Sequence, residues 1–145
     1  MSRRNRTRGF SLIEILVVLA IIGTISAIAI PALLGQRKKA RLIGDAQTNA
    51  KVITMGMESR KAENGVYGPA SAKVVWTGGS DTPSSLSGFT ANPVPQFAPK
   101  GNTHMRYTLT VGATGLTYTL QADDQQDDGN KKIYVTDQTG RQVYP

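Results

Sequence analysis

From Phe10 to Leu34 the chain runs for 25 residues with a single charge, Glu14. Fifteen of those residues are Leu, Ile, Val or Phe. As a helix the run is about 37 Å long, enough to cross a hydrocarbon core of roughly 30 Å. Transfer of fifteen such side chains gains on the order of 5–9 kcal/mol, whereas a carboxylate costs about 3 kcal/mol at mid-membrane and less near an end, where Glu14 stands. Apolar burial outweighs the charge, so the segment is expected to insert. Arg3, Arg4, Arg6 and Arg8 precede it and orient it by the positive-inside rule, with the N-terminus cytoplasmic and everything after Leu34 on the other side.

Two other readings fit part of this pattern. A secretory signal peptide also has a basic start and an apolar centre, but this run is too long and no A-x-A-like site closes it. Instead Pro31 is followed by the basic cluster Arg37, Lys38, Lys39 and Arg41. A simple membrane anchor explains length and orientation but not Glu14, an ionisable residue in an apolar helix that by default points to a functional partner. The leader arginines also account for four units of the net charge of +7, leaving +3 on the remainder. Basicity is therefore weak evidence for nucleic-acid binding.

The stretch Arg8-Gly9-Phe10-Ser11-Leu12-Ile13-Glu14, followed by Ile15-Leu16-Val17-Val18-Leu19-Ala20-Ile21-Ile22-Gly23 and later Pro31, resembles the class III signal of type IV pilins and type II secretion pseudopilins. The likeness covers residues 3–35, about a quarter of the chain. It implies that a prepilin peptidase cuts between Gly9 and Phe10 and that the new amine of Phe10 is N-methylated by the same peptidase/N-methyltransferase. Gly9 would then be a substrate residue, its lack of a side chain letting the backbone lie extended in another enzyme's cleft. The resemblance further implies a homopolymer built by an inner-membrane assembly platform and an ATPase-driven motor. Glu14 would pair with the Phe10 amine of a neighbouring subunit, because a lone buried carboxylate is expensive.

Beyond Pro31, where a kink is expected, the helix should continue to about Asn64. Leu42, Ala46, Ala50 (or Asn49), Ile53 and Met57 form one apolar stripe, while Gly23, Gly35, Gly44 and Gly56 weaken the helix. Asn64-Gly65 reads as its stop. Residues 65–104 are rich in Gly, Pro, Ser and Thr and read as a connecting loop with one short strand at 73–77. His104 reads as a surface or strand-edge residue. Residues 105–145 read as an antiparallel meander. Met105, Tyr107, Leu109 and Val111 share a face, Leu116, Tyr118, Leu120 and Ala122 repeat it, and Ile133, Val135 and Val143 mark two further strands. Tyr67, Trp76, Tyr107, Tyr118, Tyr134 and Tyr144 are expected in the core or at subunit contacts. The expected fold is α+β and pilin-like: a leader at 1–9, an apolar helix at 10–35, an amphipathic continuation at 36–64, and a small sheet covering it.

The chain has no cysteine, whereas many type IV pilins staple this C-terminal region with a disulfide. Strand pairing, or a metal, would have to hold it. Asp123-Asp124-Gln125-Gln126-Asp127-Asp128-Gly129-Asn130 is the one candidate, with Asp124, Asp127 and Asp128 as oxygen ligands for Ca²⁺. Asp124, Gln126 and Asp128 match an EF-hand loop only in part, since Val135 stands where its glutamate belongs. A solvated acidic turn beside Lys131 and Lys132 is the alternative, and no other cofactor is implied. No phosphate-binding glycine loop or Ser–His–acid set is present, so an enzyme is not expected. Three functions stay open: a subunit of an extracellular type IV pilus, a subunit of a periplasmic type II secretion pseudopilus, and a monomeric anchored protein whose head binds a ligand or DNA. Against the last, Lys and Arg are scattered rather than interleaved with aromatics.

Overall fold

The computed structural model describes residues 10–101, 104–126 and 131–143. The chain divides into two compact units, Met1–Lys39 and Ala40–Pro145. Helix α1, Leu12–Asn64, supplies residues to both and carries Pro31 within it. Six strands follow: β1 Lys73–Thr77, β2 Ser85–Ser87, β3 Met105–Val111, β4 Tyr118–Asp124, β5 Lys131–Asp137 and β6 Gln142–Val143. They form one antiparallel sheet in the order β2-β1-β3-β4-β5-β6. The α+β expectation is thus borne out.

Helix α1 stops where glycine permits it to. Gly65 has φ 75°, the left-handed conformation that ends a helix without a Cβ clash, and its N–H still donates to the Lys61 carbonyl at 2.8 Å. The chain then turns so that Tyr67 is buried, with its hydroxyl donating to Glu58 Oε1 at 2.7 Å. Lys61 Nζ stands 4.7 Å from the centre of the Tyr67 ring.

In the second unit the buried helix positions are Ala46, Asn49, Ala50, Ile53, Gly56 and Met57. Most are small, and the sheet answers with large side chains: Trp76, Tyr107, Leu109, Tyr118 and Leu120 are fully or nearly fully buried. In β3 the residues Met105, Tyr107, Leu109 and Val111 face the core and alternate with more exposed neighbours, as period-two patterning dictates. Leu116 departs from its expected place: it is half exposed in the connection before β4, whose inward face begins at Tyr118.

The Gly/Pro-rich connection holds more structure than its composition suggests. Strand β2 pairs with β1 through Ser87–Lys73, Leu86–Val74 and Ser85–Val75. Phe89, Val94 and Phe97 are buried, and Phe97 meets both Trp76 and Tyr107 edge-on at 5.3 and 5.7 Å. Asn49 anchors the end of this segment. Its Oδ1 accepts the Lys100 N–H at 3.0 Å, and its Nδ2 donates to the Lys100 carbonyl and to the Tyr107 hydroxyl, both at 2.7 Å. One side chain therefore satisfies both backbone groups of Lys100, which would be costly to leave unpaired beside the core.

Gly56 admits Val94 to the helix surface, so its role is packing rather than the helix weakening that propensity alone implies. A Cβ there would lie 2.5 Å from Val94 Cγ1. Val94 is fully buried and β-branched, so it has little freedom to rotate away. Gly56→Ala gains up to about 1 kcal/mol of helix propensity but incurs about 1–3 kcal/mol of overpacking. A net loss of about 1 kcal/mol, with Tm in detergent falling by several degrees, is expected. In a double-mutant cycle Val94→Ala should couple to it by at least about 0.5 kcal/mol; additive effects would contradict the packing assignment.

Burial also sets the alkaline limit of this unit. It pushes the Tyr107 phenol up to about 12, an effect that the Asn49 hydrogen bond partly opposes. Burial raises Tyr67 and Tyr118 as well, the former helped by its bond to Glu58. A phenol whose folded pKa lies above its unfolded value of about 10 contributes stability that is fully present below pH 10 and lost as pH rises toward the folded value. Unfolding free energy should therefore fall between pH 10 and 12 by at least about 2 kcal/mol. Denaturant titrations at stepped pH check this, and Tyr107→Phe should flatten the slope. A profile without any decline in that window would refute it.

Candidate assembly site

Ser11 starts the helix that carries the apolar run. Its carbonyl accepts the N–H of Glu14 at 3.0 Å and that of Ile15 at 3.4 Å, which places Ser11 at the N-cap and Glu14 in the first turn. A carboxylate there meets the positive end of the helix dipole, worth about 0.3–1 kcal/mol. The Ser-x-x-Glu spacing of Ser11 and Glu14 is a helix-start signal that the sequence reading passed over. It gives Glu14 a local role in addition to any intermolecular one. Phe10 directly precedes the helix and is 81% exposed.

All fifteen Leu, Ile, Val and Phe side chains between Phe10 and Leu34 are exposed, and none of the described residues covers them. This far exceeds the few hundred Å² of contiguous apolar surface that a soluble monomer tolerates. The helix is long and apolar enough to cross a membrane. Within the run, Thr24 is satisfied without outside help: its Oγ1 donates back to the Ile21 carbonyl at 2.8 Å. Pro31 has no N–H to give the Ala27 carbonyl, yet the helix continues unbroken across it. Arg37, Lys38, Lys39 and Arg41 follow, all exposed.

Of the other predicted site residues, Gly9, Asp127 and Asp128 lie outside the described residues, as does Tyr144. Asp124 is buried at the end of β4, and its Oδ1 accepts the Gln126 N–H at 3.0 Å, closing a local turn. Its neighbour Asp123 is buried, and the partly exposed Arg106 donates from Nη2 to its Oδ2 at 3.1 Å while Gln121 Nε2 donates to Oδ1 at 2.7 Å. Both carboxylates are thus engaged within the protein. Among the described residues no group of three His, Asp or Glu side chains is placed to hold a metal ion.

Two shallow depressions mark the second unit. One, of about 250 Å³, lies between Ser59, Arg60 and Glu63 of α1 and the segment from Asn92 to Gln96. The other, of about 320 Å³, is bordered by Thr54 and Met55 on the helix and by Tyr134, Thr136 and Gly140. Neither brings a nucleophile, a base and an orienting group together.

Residues 4–30 match the family described as the prokaryotic N-terminal methylation motif. Over 68 residues the chain is 40% identical to the type IV major pilin protein PilA of Myxococcus xanthus (strain DK1622), a match covering 46% of this chain and 30% of that protein. The matched stretch is therefore less than a third of that relative's length. No solved structure matches the chain. The chain thus carries the methylation motif, which runs into the apolar helix that begins at Leu12, and it is similar over 68 residues to a type IV major pilin.

Proposed function

We propose that this chain is a structural subunit of an extracellular type IV pilus, polymerised through residues 10–34. The observation that carries the reading is the uncovered apolar helix with Glu14 in its first turn. In the membrane, lipid covers those fifteen side chains. After extraction only copies of the same helix can do so, and a head-to-tail contact between copies propagates into an open filament. Prepilin peptidase would cut after Gly9 and methylate the Phe10 amine. That amine would then meet Glu14 of a neighbour, a pairing that fixes the axial step because a buried carboxylate without a cation is heavily penalised. Pro31 would be the point at which the packed helix opens, since the Ala27 carbonyl already lacks its helical donor. The precursor would reside in the inner membrane and be drawn out by the assembly platform and its ATPase-driven motor. This is a structural role rather than a catalytic one.

The 40% identity to a protein named as a major pilin supports the pilus over the secretion pseudopilus. The Asp124 carboxylate is proposed to serve its local turn rather than a calcium ion, because its Oδ1 accepts the Gln126 N–H and the residue is buried. Chelator should therefore leave Tm within about 1 °C of the calcium-loaded value, and a larger rise with calcium would reverse the assignment.

Electron microscopy and intact mass spectrometry of sheared material test the central reading. Long filaments built of a chain beginning at methylated Phe10 are expected. Processed chain confined to the membrane and periplasm would point to the pseudopilus, and chain retaining Met1–Gly9 would remove the filament reading altogether. Glu14→Ala should leave membrane insertion intact and lower filament yield at least about tenfold, the loss expected when one buried charge is left unpaired. Undiminished filament yield from that variant would overturn the proposed pairing.

A further inference from the structure

Arg37, Lys38, Lys39 and Arg41 place four cations within five residues, and no acidic residue occurs between Glu14 and Asp45. All four are exposed on the helix. At about 100° per residue they point in at least three directions around the axis, which makes a ring rather than a stripe. A stripe suits a one-sided protein partner, whereas a ring suits a medium that surrounds the helix. With a rise of 1.5 Å per residue, Arg37 stands about 4.5 Å and Lys39 about 7.5 Å beyond Leu34. The polar layer of one leaflet is about 5–8 Å deep, and long basic side chains reach several ångströms along a helix to place their heads within it.

We infer that this ring binds the phosphodiester headgroups of anionic phospholipids in the outward-facing leaflet, holding the chain before assembly. The inference rests on the proposed insertion of residues 10–34. It also resolves a conflict in the charge pattern. Four cations on the outward side oppose the positive-inside bias, and the leader supplies a matching four in Arg3, Arg4, Arg6 and Arg8. Cleavage after Gly9 removes the inner set and leaves the outer one. From then on the dense basic charge of the helix lies on the outward side, and headgroup binding there opposes its retreat across the bilayer.

The test uses the full chain with Arg3, Arg4, Arg6 and Arg8 changed to Gln, so that the leader cannot select lipid. It is reconstituted in phosphatidylcholine vesicles containing a minor share of phosphatidylglycerol. Spin-labelled phosphatidylglycerol and phosphatidylcholine report relative association with the protein, and resistance to carbonate extraction reports insertion. At low salt a preference for phosphatidylglycerol of about threefold or more is expected. It should collapse toward unity in molar salt, where the Debye length is about 3 Å. It should also vanish when Arg37, Lys38, Lys39 and Arg41 are changed to Gln, with insertion unchanged. Inserted chain without lipid preference, or a preference that survives the second set of substitutions, overturns the headgroup inference and leaves the filament reading standing. Chain removed by carbonate from both vesicle types sinks the insertion on which both depend. Duplex DNA that displaces phosphatidylglycerol from the ring at equal phosphate concentration would reassign it as a nucleic-acid contact.

Discussion

Burial is distributed unevenly along this chain, and the rest of the molecule follows from that. The first unit presents fifteen large apolar side chains and buries none of them, while the second builds its own core around Ile53, Met57, Trp76, Tyr107 and Leu120. A helix without a core has no tertiary reason to persist in water, since most helical stability in proteins comes from the packing of an apolar face. Its partner must lie outside the single chain. Lipid and like helices both meet that need, and in the proposed filament a subunit would pass from the one to the other.

The second unit builds one core from helix, sheet and loop. Buried helix positions are mostly small where the sheet's are large: Ala46 and Ala50 join the core cluster with Trp76 and Tyr107, and Gly56 admits Val94. Asn49 is the one polar residue among the buried helix positions, and its geometry explains its presence. Both amide hydrogens and its oxygen are used, so burial leaves no group unpaired. An alanine there would remove the side chain that ties the Lys100 backbone to the helix and would take its donor from the buried Tyr107 hydroxyl. Polar burial of this kind selects one arrangement of the 88–101 segment over other compact ones, which apolar contacts alone do poorly.

Local periodicity made part of this legible and left part hidden. The alternation of Met105 to Val111 is visible as a strand because each residue's environment is set by the pleat. The α+β class follows from such runs succeeding a long helical one. Strand β2 is invisible in Ser85-Leu86-Ser87, because three exposed residues carry no alternation and owe their pairing to β1. Phe89, Val94 and Phe97 follow neither a helical nor a strand period, so only tertiary contact with α1 and the sheet explains their burial. Gly56 reads as a weak helix position until Val94 is placed against it. For the assembly segment, the apolar run and Glu14 stand out at once, yet the identity of whatever covers them is not encoded within one copy of the chain. The Ser11–Glu14 cap was readable in principle and is masked by the more conspicuous apolar run around it.

Without cysteine, the C-terminal strands must be held by other means, and the sheet order shows how. Strand β4 is interior, bonded to β3 along seven residue pairs and to β5 along six. The irregularity between Ala122 and Asp123 leaves Ile133 unmatched on β5, as a bulge does, and increases local twist at that end of the pairing. Opposite it, Arg106 and Gln121 converge on the buried Asp123 carboxylate, so the charge that the bulge region buries is compensated from β3 and β4 rather than from solvent. Removing one partner of such a pair is far more damaging than the pair is stabilising, which ties β3 and β4 together in register. Strand β5 then inherits its position from β4 through backbone pairing. The Asp137 turn closes β5 onto β6, with Thr139 and Arg141 donating to the Asp137 carboxylate and holding it below the usual carboxylate range. A disulfide constrains mainly the unfolded chain; here the constraint lies in the folded state, in strand pairing and in hydrogen bonds to Asp123 and Asp137.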